Sequence, residues 1–140
     1  MTLSPWEGMR RHWRGVPRTI MGKIYLWQRY VIDHRHVLGL TDQQVDEIGS
    51  GLNSQRKYWI SKRADRTVLI IEIEELLSKD PADLAKVEEK VKSVQAISTG
   101  MVIQEIHTLE KILSILTPDQ RETVQEFMKE STFTRMIRAD

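Results

Sequence analysis

Leu40-Thr41-Asp42-Gln43-Gln44 and Leu116-Thr117-Pro118-Asp119-Gln120 are the strings from which the helical architecture of this 140-residue chain can be predicted. Both have the form Leu-Thr-x-x-Gln, which is suited to the start of a helix. A threonine at the N-cap accepts a hydrogen bond from a backbone N–H that would otherwise lack a partner. A glutamine at N3 can reach back to the N–H of the cap residue, which completes a capping box. The strings therefore predict two helix starts, with both glutamines used on backbone N–H groups.

The capping boxes and the prolines divide the chain into four predicted helices. They run from Arg18 to Val37, from Thr41 to Ser78, from Asp80 to Ile115, and from Thr117 past Phe127. Asp80-Pro81 supplies a capping side chain followed by a proline, and proline is tolerated in the first turn of a helix. Residues 1–17 are expected to form an irregular arm, and residues 18–140 a single helical domain.

The second and third predicted helices are long, and their apolar residues recur mostly at steps of three and four. This spacing predicts two antiparallel neighbours joined by a tight turn. The second helix carries Val45, Ile48, Leu52, Trp59, Val68, Ile73, Leu76 and Leu77; the third carries Leu84, Val87, Val91, Val94, Ile97, Met101, Ile106, Leu109, Leu113 and Leu116. The predicted fold is all-α, an elongated long-helix hairpin with short flanking helices. Short helices leave part of the stripe in water, which favours a homodimer.

Composition excludes several classes of function. The chain has no cysteine, so it has no disulfide, no thiolate metal site and no thiol catalysis. It shows no glycine-rich phosphate loop, no nucleophile elbow and no His-Glu-x-x-His, so we do not expect an enzyme. No apolar run is long enough for a membrane span. The N-terminus lacks a signal-peptide pattern, which indicates either a cytoplasmic protein or an exported one whose leader is not part of this sequence.

The net charge is only +1, although the first 40 residues carry seven Lys/Arg and two acidic residues. Binding of nucleic acid by Arg10, Arg11, Arg14 and Arg18 would rest on charge alone, and no nucleic-acid partner is predicted. The stretch that follows is apolar and aromatic, and it could lie on a membrane surface or pack on the hairpin or across a dimer interface. Its members are Ile20, Met21, Ile24, Tyr25, Leu26, Trp27, Tyr30 and Val31.

Two Leu-Thr-x-x-Gln strings at the ends of a cysteine-free helical hairpin resemble the Spy/CpxP family of bacterial periplasmic proteins. That family includes chaperones, zinc-resistance-associated proteins and CnrX-type metal sensors. The resemblance covers residues 18–128, including the Asp80-Pro81 turn. It implies a hairpin that dimerises into a curved cradle, a periplasmic location behind a cleaved leader, and a role in envelope stress or heavy-metal resistance. Some members bind unfolded clients without ATP, and others bind zinc, nickel or cobalt.

A basic and aromatic segment on the second helix is the candidate client-binding surface. Cations would steer acidic unfolded chains, and the aromatic rings would supply apolar contact. The candidate residues are Arg56, Lys57, Trp59, Lys62, Arg63 and Arg66. The alternative is an ordinary solvated face with Trp59 in the core.

Three histidines are candidates for the alternative function, a periplasmic heavy-metal sensor or metal-resistance protein with a membrane-bound signalling partner. Neutral imidazoles bind divalent transition metals such as zinc, nickel and copper. His34 and His36 are two residues apart, so they can share an ion only where the helix has ended. His107 lacks the methionine that the family pattern places four residues later, since Lys111 stands there. Solvated surface histidines are the other interpretation, and no other cofactor is predicted.

Overall fold

The computed structural model describes the backbone of residues 20–138 and the side chains of residues 20–130. This part of the chain is all-α. Its helices are α1 (Ile20–Asp33), α2 (Arg35–Leu38), α3 (Asp42–Leu77), α4 (Leu84–Ile115) and α5 (Pro118–Arg138). The predicted arm at residues 1–17 and the predicted helix start at Arg18 lie outside the described residues. Within them, no helix is long and apolar enough to cross a membrane.

Both predicted capping boxes are confirmed. At the start of α3, the Gln44 N–H donates to Thr41 Oγ1 over 3.1 Å, and the Thr41 N–H donates to Gln44 Oε1 over 2.9 Å. At the start of α5, the same pair of bonds joins Thr117 and Gln120 over 3.3 and 2.9 Å. Pro118 is the first residue of α5, where its missing N–H costs no hydrogen bond. The strings therefore fix both helix starts.

The two glutamines also bind each other, which the sequence did not predict. Gln44 Nε2 donates to Gln120 Oε1 over 2.9 Å and to the Ile115 carbonyl over 3.0 Å. Gln120 Nε2 donates to the Leu38 carbonyl over 3.2 Å. The expectation that the glutamines serve only backbone N–H groups is wrong, because the amide has two donors beside its acceptor. The boxes tie the starts of α3 and α5 to the ends of α2 and α4.

The long hairpin of α3 and α4 is confirmed as antiparallel. Its base is held by Gln44 to Ile115, and the Glu72–Lys90 ion pair lies farther along it. The helices have 36 and 32 residues, so each is about 50 Å long. The predicted start of the third helix at Asp80 is wrong. α4 begins at Leu84, and Asp83 is its N-cap because its Oδ1 accepts the Lys86 N–H over 3.1 Å.

The predicted helix from Arg18 to Val37 is interrupted at His34. This residue has φ −110° and ψ 24°, outside helical geometry, and it separates α1 from α2. Its ring stacks on Tyr30 at 4.1 Å, and its Nδ1 lies 3.0 Å from the Tyr30 carbonyl oxygen. Gly39 then ends α2 in the left-handed conformation with φ 66°, which glycine adopts without a Cβ penalty. The interruption turns the chain toward Thr41.

The core lies at the base of the hairpin, where the short helices pack against α3 and α4. Its buried residues are Tyr30, Val31, Leu38, Ile48, Ile112, Leu116, Val124 and Met128. Leu26, Trp27 and Ile32 pack against this cluster, so the aromatic stretch of α1 packs on the hairpin. Several residues of the predicted apolar stripes are instead exposed: Val68, Leu77, Leu84, Val91 and Ile106. The contact between α3 and α4 therefore does not bury the whole of either predicted stripe.

Candidate functional site

The basic segment of α3 lies partly on an open surface. Arg56, Lys57 and Arg63 are exposed, whereas Lys62 and Arg66 are half-buried. Lys62 Nζ lies 3.9 Å from Asp65 Oδ2 and 5.8 Å from the centre of the Tyr58 ring. The three exposed cations make no hydrogen bond or ion pair with their side chains to any described residue. Within the described residues, they are the members of the predicted set whose side chains are both exposed and unpaired.

Arg66 and Trp59 instead take part in helix packing. Arg66 Nη1 lies 3.5 Å from Ser98 Oγ, so this arginine links α3 to α4. The Trp59 ring packs on Tyr25 of α1, with the ring centroids 5.7 Å apart and the planes at 54°. Trp59 Nε1 is buried and has no hydrogen-bond partner in the described part of the chain. These contacts favour a packing role for both residues over contact with a ligand.

Exposed isoleucines lie beside the arginines, and sequence reasoning missed them. Ile60 is 61% exposed, Ile70 41% and Ile71 47%. Arg56, Ile60 and Arg63 follow each other at steps of four and three, so they share one side of α3. We name the set Arg56, Ile60, Arg63, Ile70 and Ile71 the outer strip. The spacing was a usable signal, but these isoleucines lie outside the stripe that predicted the core.

A buried polar cluster joins α1, α3 and α4. Gln28 and Gln55 bind each other through both amides: Gln28 Nε2 donates to Gln55 Oε1 over 3.0 Å, and Gln55 Nε2 donates to Gln28 Oε1 over 2.7 Å. Gln28 Nε2 also donates to the backbone carbonyl of Glu105 over 2.9 Å. The two glutamine side chains are satisfied inside the protein, and they position α1 on the hairpin.

Glu105 is the most unusual group in this cluster. It is completely buried, and neither carboxylate oxygen has a hydrogen-bond partner in the described part of the chain. Burial raises the pKa of this carboxyl from 4.5 to about 8, because the charged form loses its hydration. The side chain is therefore mostly protonated at neutral pH. Sequence reasoning missed Glu105 as a charged residue, although it lies one turn after Met101 and on the same helix face.

The three candidate metal ligands, His34, His36 and His107, lie in different environments. His34 stacks on Tyr30, and its ring centroid lies 5.8 Å from that of Phe127. His36 and His107 are exposed. Among the described residues, no group of three or more His, Cys, Asp or Glu side chains is arranged to hold a metal ion. Metal binding by these histidines stays a prediction that calorimetric titration with zinc, nickel, cobalt and copper can test.

Comparison of the chain with protein-family models, with curated proteins and with solved structures finds no match in any of the three. The likeness to the Spy/CpxP family therefore rests on the two Leu-Thr-x-x-Gln strings and the turn between them. The features of the described residues that bear on function are the outer strip of α3, the buried cluster around Glu105 and the surfaces of the hairpin.

Proposed function

We propose that this protein is a non-enzymatic, ATP-independent chaperone of the Spy/CpxP type, which acts in the periplasm as a homodimer and binds unfolded segments of client proteins. The outer strip of α3 is the proposed binding surface. The observation that carries the proposal is the alternation of exposed arginines and exposed isoleucines along one side of a long helix. Unfolded chains offer both features that such a surface binds, apolar side chains and carboxylates.

The surface supports weak and reversible binding. Full burial of an isoleucine side chain stabilises a complex by about 1.5–3 kcal/mol, and these three isoleucines are already partly covered. Part of the gain is offset by the loss of freedom of an unfolded segment on binding. Arg56 and Arg63 add long-range attraction for acidic segments, which salt screens beyond about 10 Å at 0.1 M. Release then needs no ATP, because no single contact is strong.

Suppression of aggregation of a chemically denatured client tests the proposal. The wild-type protein should suppress light scattering when present in several-fold excess. The double variant Arg56→Glu with Arg63→Glu should need several-fold more protein for the same effect, and the difference should grow at low salt. Lys79→Glu with Lys111→Glu is the matched control, since it makes the same charge change at exposed positions outside the outer strip.

The apolar half of the surface is tested by Ile60→Ser. This side chain is 61% exposed, so the substitution should leave the helical circular dichroism signal unchanged while weakening suppression. Two results would contradict the proposal: no suppression by the wild-type protein at any excess, or equal suppression by the strip variants and the lysine control.

A further inference from the structure

A second surface feature is an open groove between the last turns of α4 and the first turn of α5. It has a volume of about 520 Å³, comparable to several large side chains. Its lining residues are Ile106, Leu109, Glu110, Leu113, Ser114 and Arg121. The groove lies on different helices from the outer strip of α3. The proposed client-binding surface therefore does not account for it.

The groove combines an apolar lining with one acid and one base. Glu110 is exposed and Arg121 half-buried. Neither side chain makes a hydrogen bond or an ion pair to another residue within the described range, although both line the same groove. An apolar groove that carries an unpaired negative and an unpaired positive charge is suited to a partner with the opposite arrangement.

The α4 side of the groove continues as a regular seam. Ile103, Ile106, Glu110 and Leu113 follow each other at steps of three, four and three, which is the spacing of the contact positions in a coiled coil. Ile103 and Ile106 are each 46% exposed. In a coiled coil, residues at this spacing pack as knobs into holes on the facing helix. A single polar residue in such a seam fixes register and orientation rather than adding stability.

We propose that the groove binds a second copy of this chain about a two-fold axis, with Glu110 of each copy facing Arg121 of the other. In a two-fold interface the same patch meets itself, so a surface with both a charge and its complement is satisfied twice. Ile103 and Ile106 of one copy then pack beside Leu113 of the other. An unfolded client of variable sequence would not match both charges at fixed positions. The inference locates the contact of the proposed homodimer and rests on that part of the proposed function.

Charge reversal tests the pairing. Glu110→Arg places two arginines opposite each other in both halves of the interface, and Arg121→Glu places two glutamates there. Each variant alone should weaken dimerisation at least about tenfold in Kd, measured by sedimentation over a range of protein concentrations. An equimolar mixture of the two variants should form a heterodimer, because every facing pair then has opposite charges. Native mass spectrometry of the mixture identifies that heterodimer directly.

The exposed pair Glu88 and Lys92 on α4 provides the control, because its side chains are 72% and 77% exposed and lie outside the groove. Glu88→Arg and Lys92→Glu should leave the Kd within about twofold of wild type. Circular dichroism verifies that each variant is folded.

The outcomes distinguish whether a homodimer forms from where its contact lies. A wild-type protein that stays monomeric at all concentrations overturns both the homodimer and its location. A dimer that both groove variants leave intact overturns the location alone. Single variants that weaken the dimer, followed by a mixture that does not restore it, overturn the reciprocal pairing. The aggregation assay reports on the outer strip separately.

Discussion

Replacing Glu105 with glutamine should stabilise the protein at neutral pH. The carboxyl is completely buried, and its oxygens have no partner within the described residues. Glutamine has nearly the same shape and cannot ionise. The protonated acid and the amide each place one polar group in the same site, so their burial costs nearly cancel. The difference in the free energy of unfolding between the variant and the wild type is therefore the cost of ionising Glu105 inside the protein.

The size of the effect follows from the pKa of Glu105, which burial raises from 4.5 to about 8. A raised carboxyl pKa means that the folded state holds the proton more tightly than the unfolded state. Stability from this group is therefore greatest below pH 4.5, falls between pH 4.5 and 8, and is constant above that. The loss reaches about 3 kcal/mol at pH 7 and approaches about 5 kcal/mol above pH 8. Most small domains have only about 5–15 kcal/mol in total.

Urea unfolding followed by circular dichroism, at fixed protein concentration, measures the difference between Glu105→Gln and wild type. The difference should be close to zero near pH 4 and rise to about 3 kcal/mol at pH 7. Glu89→Gln replaces an exposed carboxylate on the same helix and should show no such rise. A difference that stays flat across this pH range would contradict this prediction, because it would mean that Glu105 ionises as freely in the folded protein as in the unfolded chain.

Two further predictions concern the fold. Gln44→Ala and Gln120→Ala should each lower the free energy of unfolding by about 1–2 kcal/mol. The double variant should lose about 1 kcal/mol less than the sum of the two, because each single change already breaks the amide contact between them. Additive losses would show that this contact contributes nothing to stability. Ile112→Ala, at a position that is 1% exposed, should cost about 2–5 kcal/mol, whereas Val91→Ala, at 43%, should cost less than about 1 kcal/mol. Similar losses in urea unfolding would place the core elsewhere.

The helix starts at Thr41 and Thr117 could be predicted from sequence because a capping box is local. Each box uses bonds between residues three apart, so the string contains all of its partners. The start of α4 after the turn between the long helices was harder to predict. Asp80-Pro81 and Asp83 both offer a capping carboxylate, and the structure uses Asp83. Local composition predicted that a helix begins there, but it could not choose between two equivalent signals.

The residues of the candidate sites also divide into those that could be predicted from the sequence and those that could not. The exposed cations Arg56, Lys57 and Arg63 were predictable as a surface because charged side chains seldom lie unpaired in a core. The sequence left open whether Trp59 lies in the core or on the surface, because its packing on Tyr25 depends on where α1 lies. The burial of Glu105 was missed despite its place on the face of Met101, because the rule that places charges outside fails where α1 covers that turn of α4.

Local sequence predicts an all-α fold for the described residues, the base of the long hairpin and the positions of two capping boxes. These features depend on contacts within a few residues and on the periodicity of apolar side chains. Three other features arise only when the helices pack together: Gln44 and Gln120 bind each other, α1 covers Glu105, and α4 and α5 form a groove whose two charges are unpaired within the described residues. These features depend on which helices become neighbours, and burial and unsatisfied charge are properties of those neighbours rather than of any one residue.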